Sequence, residues 1–416
     1  MKQVVVIGGG VVGVTTAWAL VQAGHRVTLV ERAAGLAEGA SRANGGQLSY
    51  RYVSPLADAG VPLKALGWLL DPDGPLRFRP DGSLAQWRWL AAFLARCRAD
   101  INRRTTERLL ALGAFSQQSF MELQREAALN AIELRTPGKL VVYRKPASFL
   151  RAAAAADPKG PERALSREEC LALEPSLGDC DQPWVAGGIF TAGEAVADCH
   201  ALCLQLGRRL ERHPNFQGVV QAQALGFLTE RGRVVALRST VGELGADDFV
   251  LAAGLQSAAL AAPLGLRLPL YPLKGYSLSA PIAGHHRPPT VSVTDFERKT
   301  LYARIGQQLR VAAMVDLVGE DARVDPDRLA ALHRTVRASF PKAADYALAV
   351  PWAGLRPATP SGAPMLGPTP LAGLWLNVGH GALGFTFSFG SARIVADLVS
   401  GRPSPLDLDG LGLRTA

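Results

Sequence analysis

The sequence predicts an α/β protein whose two ends build one parallel sheet, with an α+β domain inserted between them. Three observations predict it. The first 32 residues read as strand, glycine turn, helix, strand. The chain closes on a second strand–glycine loop–helix unit, Leu374 to Ser400. The stretch between them alternates short apolar runs with helical segments and with connectors rich in Pro and Gly.

The opening unit carries the strongest signal. Lys2 and Gln3 lead into the apolar run Val4 to Ile7, followed by Gly8, Gly9, Gly10, Val11, Val12 and Gly13. Gly8 permits a tight turn. Gly10 lets a pyrophosphate approach the backbone, and Gly13 lets helix and strand pack closely. The apolar helix Val14 to Gln22 offers unpaired N–H groups and a partial positive charge to phosphates. A second strand, Arg26 to Val30, ends at Glu31, eighteen residues past Gly13, where a carboxylate accepts hydrogen bonds from ribose hydroxyls. Arg32 beside it reads equally well as a solvated surface charge. The pattern is Rossmann-like and dinucleotide-binding, but does not say which dinucleotide.

Composition narrows the class. With 416 residues, 48% hydrophobic and 19% charged, the chain is long enough for two domains and too apolar for global disorder. Its net charge of +9 comes from 45 basic and 36 acidic residues with no basic run. That charge is read either as a plain soluble surface or as attraction to an anionic membrane face or an acidic substrate. No nucleic-acid module is present. The five cysteines, Cys97, Cys170, Cys180, Cys199 and Cys203, form no CxxC pair, so neither a disulfide framework nor a metal site is expected. No run of eighteen apolar residues occurs, and the three glycines argue against a signal peptide. A cytoplasmic location is expected, with peripheral attachment to the inner face of the cell membrane left open. Oligomeric state is not legible.

Taken in order, Gly35 to Ser49 is small and polar, a plain loop or a backbone lying against a flat ligand. Tyr50 and Tyr52 follow. Asp71 to Gly82 reads as a connector. Ser83 to Ala99 and Arg103 to Leu129 have helical periodicity and form an excursion outside the dinucleotide unit. Gly138 to Arg144 reads as a strand, and Arg151 to Arg163 as alanines followed by a Pro-Lys-Gly-Pro turn. Ser166 to Leu173 reads as a helix opened by a capping box with Glu169. Asp198 to Leu210 reads as a helix and Asn215 to Ala222 as a strand, with a hairpin around Glu230-Arg231-Gly232. Asp247 to Gly254 is an apolar strand ending in small residues. Leu266 to Ser279 reads as a second substrate-side region, and strands follow at Val291 to Val293, Thr300 to Arg304 and Leu309 to Met314. Asp325 to Phe340 is helical. Trp352 to Pro357 reads as a glycine turn, Leu374 to Val378 as a strand, Gly379 to Gly384 as a tight loop and Phe385 to Ser400 as a helix. The expected division is 1–70, 187–260 and 350–416 in the dinucleotide-binding domain, and 71–186 and 261–349 in the other.

The chain resembles the FAD-dependent D-amino-acid oxidoreductases, and within them the small subunits of bacterial D-amino-acid dehydrogenases. The shared pieces are Val6 to Val14, Asn44-Gly45-Gly46-Gln47, Tyr271-Pro272-Leu273-Lys274-Gly275-Tyr276-Ser277, Gly354-Leu355-Arg356-Pro357, and Leu376 to Gly381 with Gly384. The resemblance runs nearly end to end, departing in the helical excursion, at Cys199 and Cys203, and in the tail. It implies an FAD-binding domain with an inserted substrate domain, of the glutathione-reductase-like or D-amino-acid-oxidase-like kind, and FAD as the cofactor. The adenosine side then falls to Gly8, Gly10, Val12, Gly13, Glu31 and Arg32, with Val220 and the element Ala253-Gly254. The flavin falls to Ser41, Asn44, Gly45, Gly46, Gln47 and Leu48, and to Gly354, Gly379, Gly381, Ala382, Leu383, Gly384, Phe385 and Thr386.

The implied reaction is oxidation of a C–H beside an amine, with a keto acid and ammonia as products after hydrolysis. Arg356 matches a substrate-binding arginine of related oxidases, and a planar guanidinium suits a carboxylate. Arg304 is a candidate second anchor. Tyr276 and Tyr52 are candidates to bond the carboxylate or wall the pocket. His380 is read either as shaping its loop or as titrating near the site. The implied partners are a small D-amino acid and a quinone or other electron carrier. A secondary-amine substrate (D-hydroxyproline, sarcosine, glycine) is the sibling reading. A NAD-dependent dehydrogenase and a non-catalytic flavin subunit are the readings from other classes.

Overall fold

The computed structural model describes residues 1–156 and 160–413. β1 (Gln3–Ile7) runs parallel to β2 (Arg26–Glu31) on one side and to Asp248–Leu251 on the other. The full six-stranded order is Met365–Pro368, Leu374–Val378, Asp248–Leu251, β1, β2, Phe216–Gln221, with Met365–Pro368 antiparallel to its neighbour. Both faces of β1 are covered, which is why Val4 to Ile7 reads as an unbroken apolar run. Val4 and Val6 join α1 (Val11–Gln22), α2 (Ala99–Ala127), the helix Cys199–Glu211 and α3 (Gly384–Val399) in one core. Val5 and Ile7 point the other way, into a core closed by the hairpin strands Ala224–Glu230 and Arg233–Ser239 and the helix Gln256–Ala261. The Gly379–Gly384 loop ends in a single 3₁₀ turn, Gly381–Leu383. The segment Gly381–Val399 reaches the length and hydropathy of a membrane span, yet 72% of it is buried against its neighbours.

The second sheet has nine strands, among them β3 (Lys139–Tyr143), β4 (Tyr271–Pro281), β5 (Thr300–Ile305), β6 (Gln308–Leu317) and β7 (Val350–Ala358). Their order is β7, β4, β6, β5, Ser292–Asp295, β3, Gly187–Thr191, Glu162–Ser166, and Leu76–Phe78 pairs with β6. One face packs on the helix Pro326–Ser339 through Tyr276, Leu278, Tyr302, Val311, Leu332 and Val336. The other face carries Ser277 and Arg310, which reach the backbone of Ala43 and Asn44.

Local signals explain several boundaries. Ser166 accepts from the Glu169 N–H while the Glu169 carboxylate accepts from the Ser166 N–H, the reciprocal box its sequence predicts. Asp325 accepts from the N–H groups of Asp327 and Arg328. The excursion is two helices, Leu84–Leu94 and α2, but a further helix, Val61–Leu70, precedes them, and the Asp71–Gly82 connector holds the strand Leu76–Phe78. The expected Pro158-Lys159-Gly160-Pro161 turn falls partly outside the described residues. Trp352 to Pro357 is not a glycine turn but the middle of β7, held by pairing of Gly354 with Gly275 and Arg356 with Leu273. Gly187–Thr191 and β7, assigned by sequence to the same domain as the N-terminus, hydrogen-bond within the nine-stranded sheet. All five thiols are free.

Candidate active site

The glycine turn sits where β1 meets α1. Gly8 has φ +110°, and a Cβ there would lie 2.6 Å from Ala252 O. A Cβ at Gly13 would collide with Gly8 O, so Gly13 is what lets the helix seat on the turn. The Glu31 carboxylate accepts from Gly9 N–H at 2.6 Å and from Ala33 N–H at 2.8 Å. It is thereby fixed at the turn with lone pairs left for ribose hydroxyls. α1 has no side-chain cap at Gly10, and the Ser41 hydroxyl accepts from Val11 N–H at 3.0 Å. With the Gln256 amide turned to accept, Arg32 donates to it, bringing Arg32 against the turn that contains Ala253 and Gly254 (φ +57°). Val220 pairs with Val30, one step before Glu31 along the sheet.

The loop Ser41–Leu48 runs from this turn onto the nine-stranded sheet. Ser277 Oγ donates to Ala43 O at 2.7 Å, and Arg310 Nη1 to Asn44 O at 2.6 Å. A Cβ at Gly45 would run into Leu301, and one at Gly46 (φ +64°) into Ile305. These glycines therefore serve close packing on the sheet, where the sequence suggested a plain loop or a backbone lying against a flat ligand. Gln47 Nε2 donates to Ser292, and the two-residue strand Gln47–Leu48 pairs with Ala195–Val196. Thr386, in the first turn of α3, accepts from Ser49 N–H at 3.2 Å. The loop is thus fixed both to the sheet and to the N-terminus of α3.

Arg356 lies on this same face. A Cβ at Gly275 would collide with its guanidinium, so the neighbouring strand is bare where the arginine crosses it. Nη1 donates to Met314 O at 3.0 Å. Burial pulls the guanidinium down to about 10, opposed by the charge of Asp316, so it stays cationic at neutral pH. Two residues on, Ala358 bridges to His380, which sets Arg356 beside the C-terminal glycine loop. Gly354 holds no open space, because Trp352 lies over it. A Cβ at Gly379 (φ +84°) would stand 2.7 Å from Thr359 Cγ2. Ala382, Leu383, Gly384 and Phe385 complete the turn into α3.

Two expected site residues are placed elsewhere, and His380 sits in its loop as a shaping group. Tyr276 alternates with Ser277, so it faces the helix Pro326–Ser339, and its hydroxyl donates to Asp316 at 3.1 Å. Asp316 in turn pairs with the buried Arg328 at 2.7 Å. Arg304 alternates with Ala303 and Ile305. It points away from the loop into a recess with Glu133, Arg135 and Gln307, and donates to Gly306 O at 3.2 Å. His380 is 3% exposed, hydrogen-bonds Ser391 at 3.0 Å, and burial drives it down to about 3, so it is a neutral structural group. Tyr52, 41% exposed, borders the loop: its ring lies 4.4 Å from the Lys139 ammonium, which also holds Gln47 and Ser49.

Sequence reasoning missed Arg310, Trp352, Ser292, Thr294 and Lys139. Alternation of a charged or hydroxyl residue with core residues in one strand was the available signal, but it does not say which face meets a ligand. Thr294 Oγ1 and Arg310 Nε are buried without a partner, two polar atoms on the face that meets the loop.

The donor set fits FAD. The α1 N-terminus, where Ser41 takes only the Val11 N–H, and the Gly10 approach suit a pyrophosphate, and the fixed Glu31 suits a ribose. The cationic Arg310 beside the loop and the N-terminus of α3 suit the electron-rich edge of a flavin.

A family model described as FAD dependent oxidoreductase matches residues 3–398. D-amino acid dehydrogenase 2 of Pseudomonas aeruginosa is 51% identical, over 100% of this chain and 99% of that protein. D-amino acid dehydrogenase 2 of Ralstonia nicotianae is 47% identical, over 96% and 97%. Among solved structures, glycine oxidase from Geobacillus kaustophilus superposes with a TM-score of 0.74 at 21% identity, over the whole of both chains, a likeness of fold.

Proposed function

The chain belongs to the FAD-dependent oxidoreductase family, and we propose that it oxidises D-amino acids to 2-keto acids and ammonia. FAD is the cofactor and, when bound, supplies the acceptor for the hydride leaving the α-carbon. The chain's residues supply binding and alignment. Arg356 holds the substrate carboxylate through two N–H···O contacts, directing the α-hydrogen toward the loop that carries the flavin. Tyr52 walls the pocket. The released imino acid takes up water and gives the keto acid and ammonia. The observation that carries the reading is the half-buried, charged Arg356 on the face bracketed by Asn44–Ser49 and by the Ala358–His380 bridge.

The electrons pass to a quinone or another carrier. Peripheral contact with the inner face of the membrane is supported by a separate surface. The helices Val61–Leu70 and Leu84–Leu94 expose Leu63 (78%), Leu70 (85%), Leu84 (61%) and Trp87 (49%), and each carries one cation, Lys64 or Arg88, and no acid. Flotation with phosphatidylglycerol vesicles tests it, and Leu63→Glu with Trp87→Glu is expected to abolish binding. A panel of D-amino acids, sarcosine and glycine, run with an artificial dye and with oxygen, tests the reaction. Activity on sarcosine or glycine alone sinks the D-amino-acid reading.

A further inference from the structure

β3 begins with a lysine that the reaction above does not use. Lys139 is 2% exposed. Its ammonium donates to Gln47 Oε1 and, at 3.2 Å, to Ser49 Oγ, and it lies 4.4 Å from the centre of the Tyr52 ring. One cation therefore touches three points of a six-residue segment. That segment leads from the flavin loop to the pocket wall. Gln47 carries the contact on to Ser292 through its Nε2.

The counter-charge is Glu194, 3% exposed, which accepts from Arg51 N–H at 2.9 Å. Ser49 Oγ accepts from Lys139 at 3.2 Å and donates to Gln47 Oε1 at 3.2 Å, so the lysine, the amide and the hydroxyl close a ring of contacts. Glu194 Oε2 and the Tyr50 hydroxyl are buried without a partner beside it. Stability does not account for such a lysine. A methionine of similar length fills the same volume without desolvating a charge, and buried ion pairs are commonly matched by apolar replacements. What an apolar residue does not do is hold an amide, a hydroxyl and a ring in register from one atom.

We infer that Lys139 is a positioning residue whose charge clamps segment 47–52, and through it the Gln47 amide beside the flavin and the Tyr52 wall of the substrate pocket. The inference rests on the flavin-dependent reading above. Burial holds the Lys139 ammonium down at about 8, and Glu194 acts against that shift. The ionisable groups around the clamp are Glu194, Tyr50 and Tyr52, with Tyr143 further along β3. Burial pushes the Tyr50 and Tyr143 phenols up and raises Glu194 from its usual value, so Lys139 is the member of this set placed to lose its proton near pH 8. Above pH 8 the ammonium loses its proton, the ring contact weakens and the clamp relaxes.

The readout is the oxidised-flavin absorbance of the holoenzyme without substrate, titrated from about pH 6 to about pH 10. The expected wild-type result is a spectral transition near pH 8 that is absent in Lys139→Met. In Glu194→Gln, which removes the charge favouring the ammonium, the midpoint falls by about half a unit or more. At pH near 7, Lys139→Met raises KM about tenfold while kcat changes by less than about threefold. Lys139→Met combined with Tyr52→Leu raises KM no further than the larger single change. A wild type without the transition, or a Lys139→Met enzyme with the same transition and KM, overturns the inference. If Lys139→Met does not fold, an unmoved midpoint in Glu194→Gln overturns it instead. A transition that survives while the amino-acid panel fails strikes the proposed substrate and leaves the clamp standing.

Discussion

Replacing Arg356 with leucine separates binding from folding. Among the described residues the guanidinium makes one hydrogen bond, to Met314 O at 3.0 Å, which leaves four of its five donors without a protein acceptor. Removing a bidentate, charge-assisted contact costs about 3 kcal/mol, or roughly 150-fold in kcat/KM. The fold loses far less. Met314 O is left unpaired, at about 1–2 kcal/mol, but the desolvation that pulls the guanidinium down to about 10 disappears with it. Arg356→Leu should therefore stay yellow and melt within a few degrees of the wild type. Anaerobic bleaching by a D-amino acid and by the matching amine without a carboxylate is the assay. The amino acid should lose about two orders of magnitude and the amine almost nothing. Equal losses on both, or none on either, would refute the carboxylate role.

Three further outcomes follow from particular contacts. Glu31→Ala frees two backbone N–H groups and removes the ribose acceptor, so FAD affinity should fall about 10–100-fold; full flavin occupancy after dialysis contradicts it. Burial lowers His380 to about 3 from 6.5, so the unfolded chain binds the extra proton between those values and stability is lost as pH falls through that window. Denaturant titration should show the wild type losing about 2 kcal/mol more than His380→Gln between about pH 7 and about pH 5, and parallel curves would show that His380 does not titrate as placed. Tyr276→Phe removes a hydroxyl bonded to Asp316 on the face away from the site, so KM and kcat should stay within about twofold; a large KM effect would put Tyr276 back in the pocket.

The parts of this fold that sequence made legible are those governed by local chemistry. The capping box at Ser166 and Glu169, the glycine turn at Gly8 to Gly13 and the terminal unit from Leu374 each need only near neighbours. What stayed hidden depends on which face of a strand meets which partner. Tyr276 and Ser277 are adjacent, yet one bonds Asp316 beneath the sheet and the other Ala43 above it. A register slip of one residue would exchange them, and the Met314 irregularity in β6 is the kind of feature that sets such a register. Gly354-Leu355-Arg356-Pro357 looked like a turn because Gly and Pro punctuate it. Long-range pairing with β4 overrode that local preference, and the Gly there makes way for Trp352. Arg356 itself was found through family likeness, since an arginine before a proline has no intrinsic address.

The seam between the first and last helices has a consequence for how the molecule is made. α1 beds on α3, Asn377 reaches Thr16 at 2.9 Å, and Lys2 donates to Val399 O at 2.7 Å. α1 thus depends on a partner helix encoded far along the chain, and its flank is covered only once α3 is present. Until then an apolar flank is bare, and a nascent chain stalled short of Leu374 has no way to close the pocket for the prosthetic group. Truncation before Leu374 should therefore yield colourless protein, checked by flavin absorbance after dialysis.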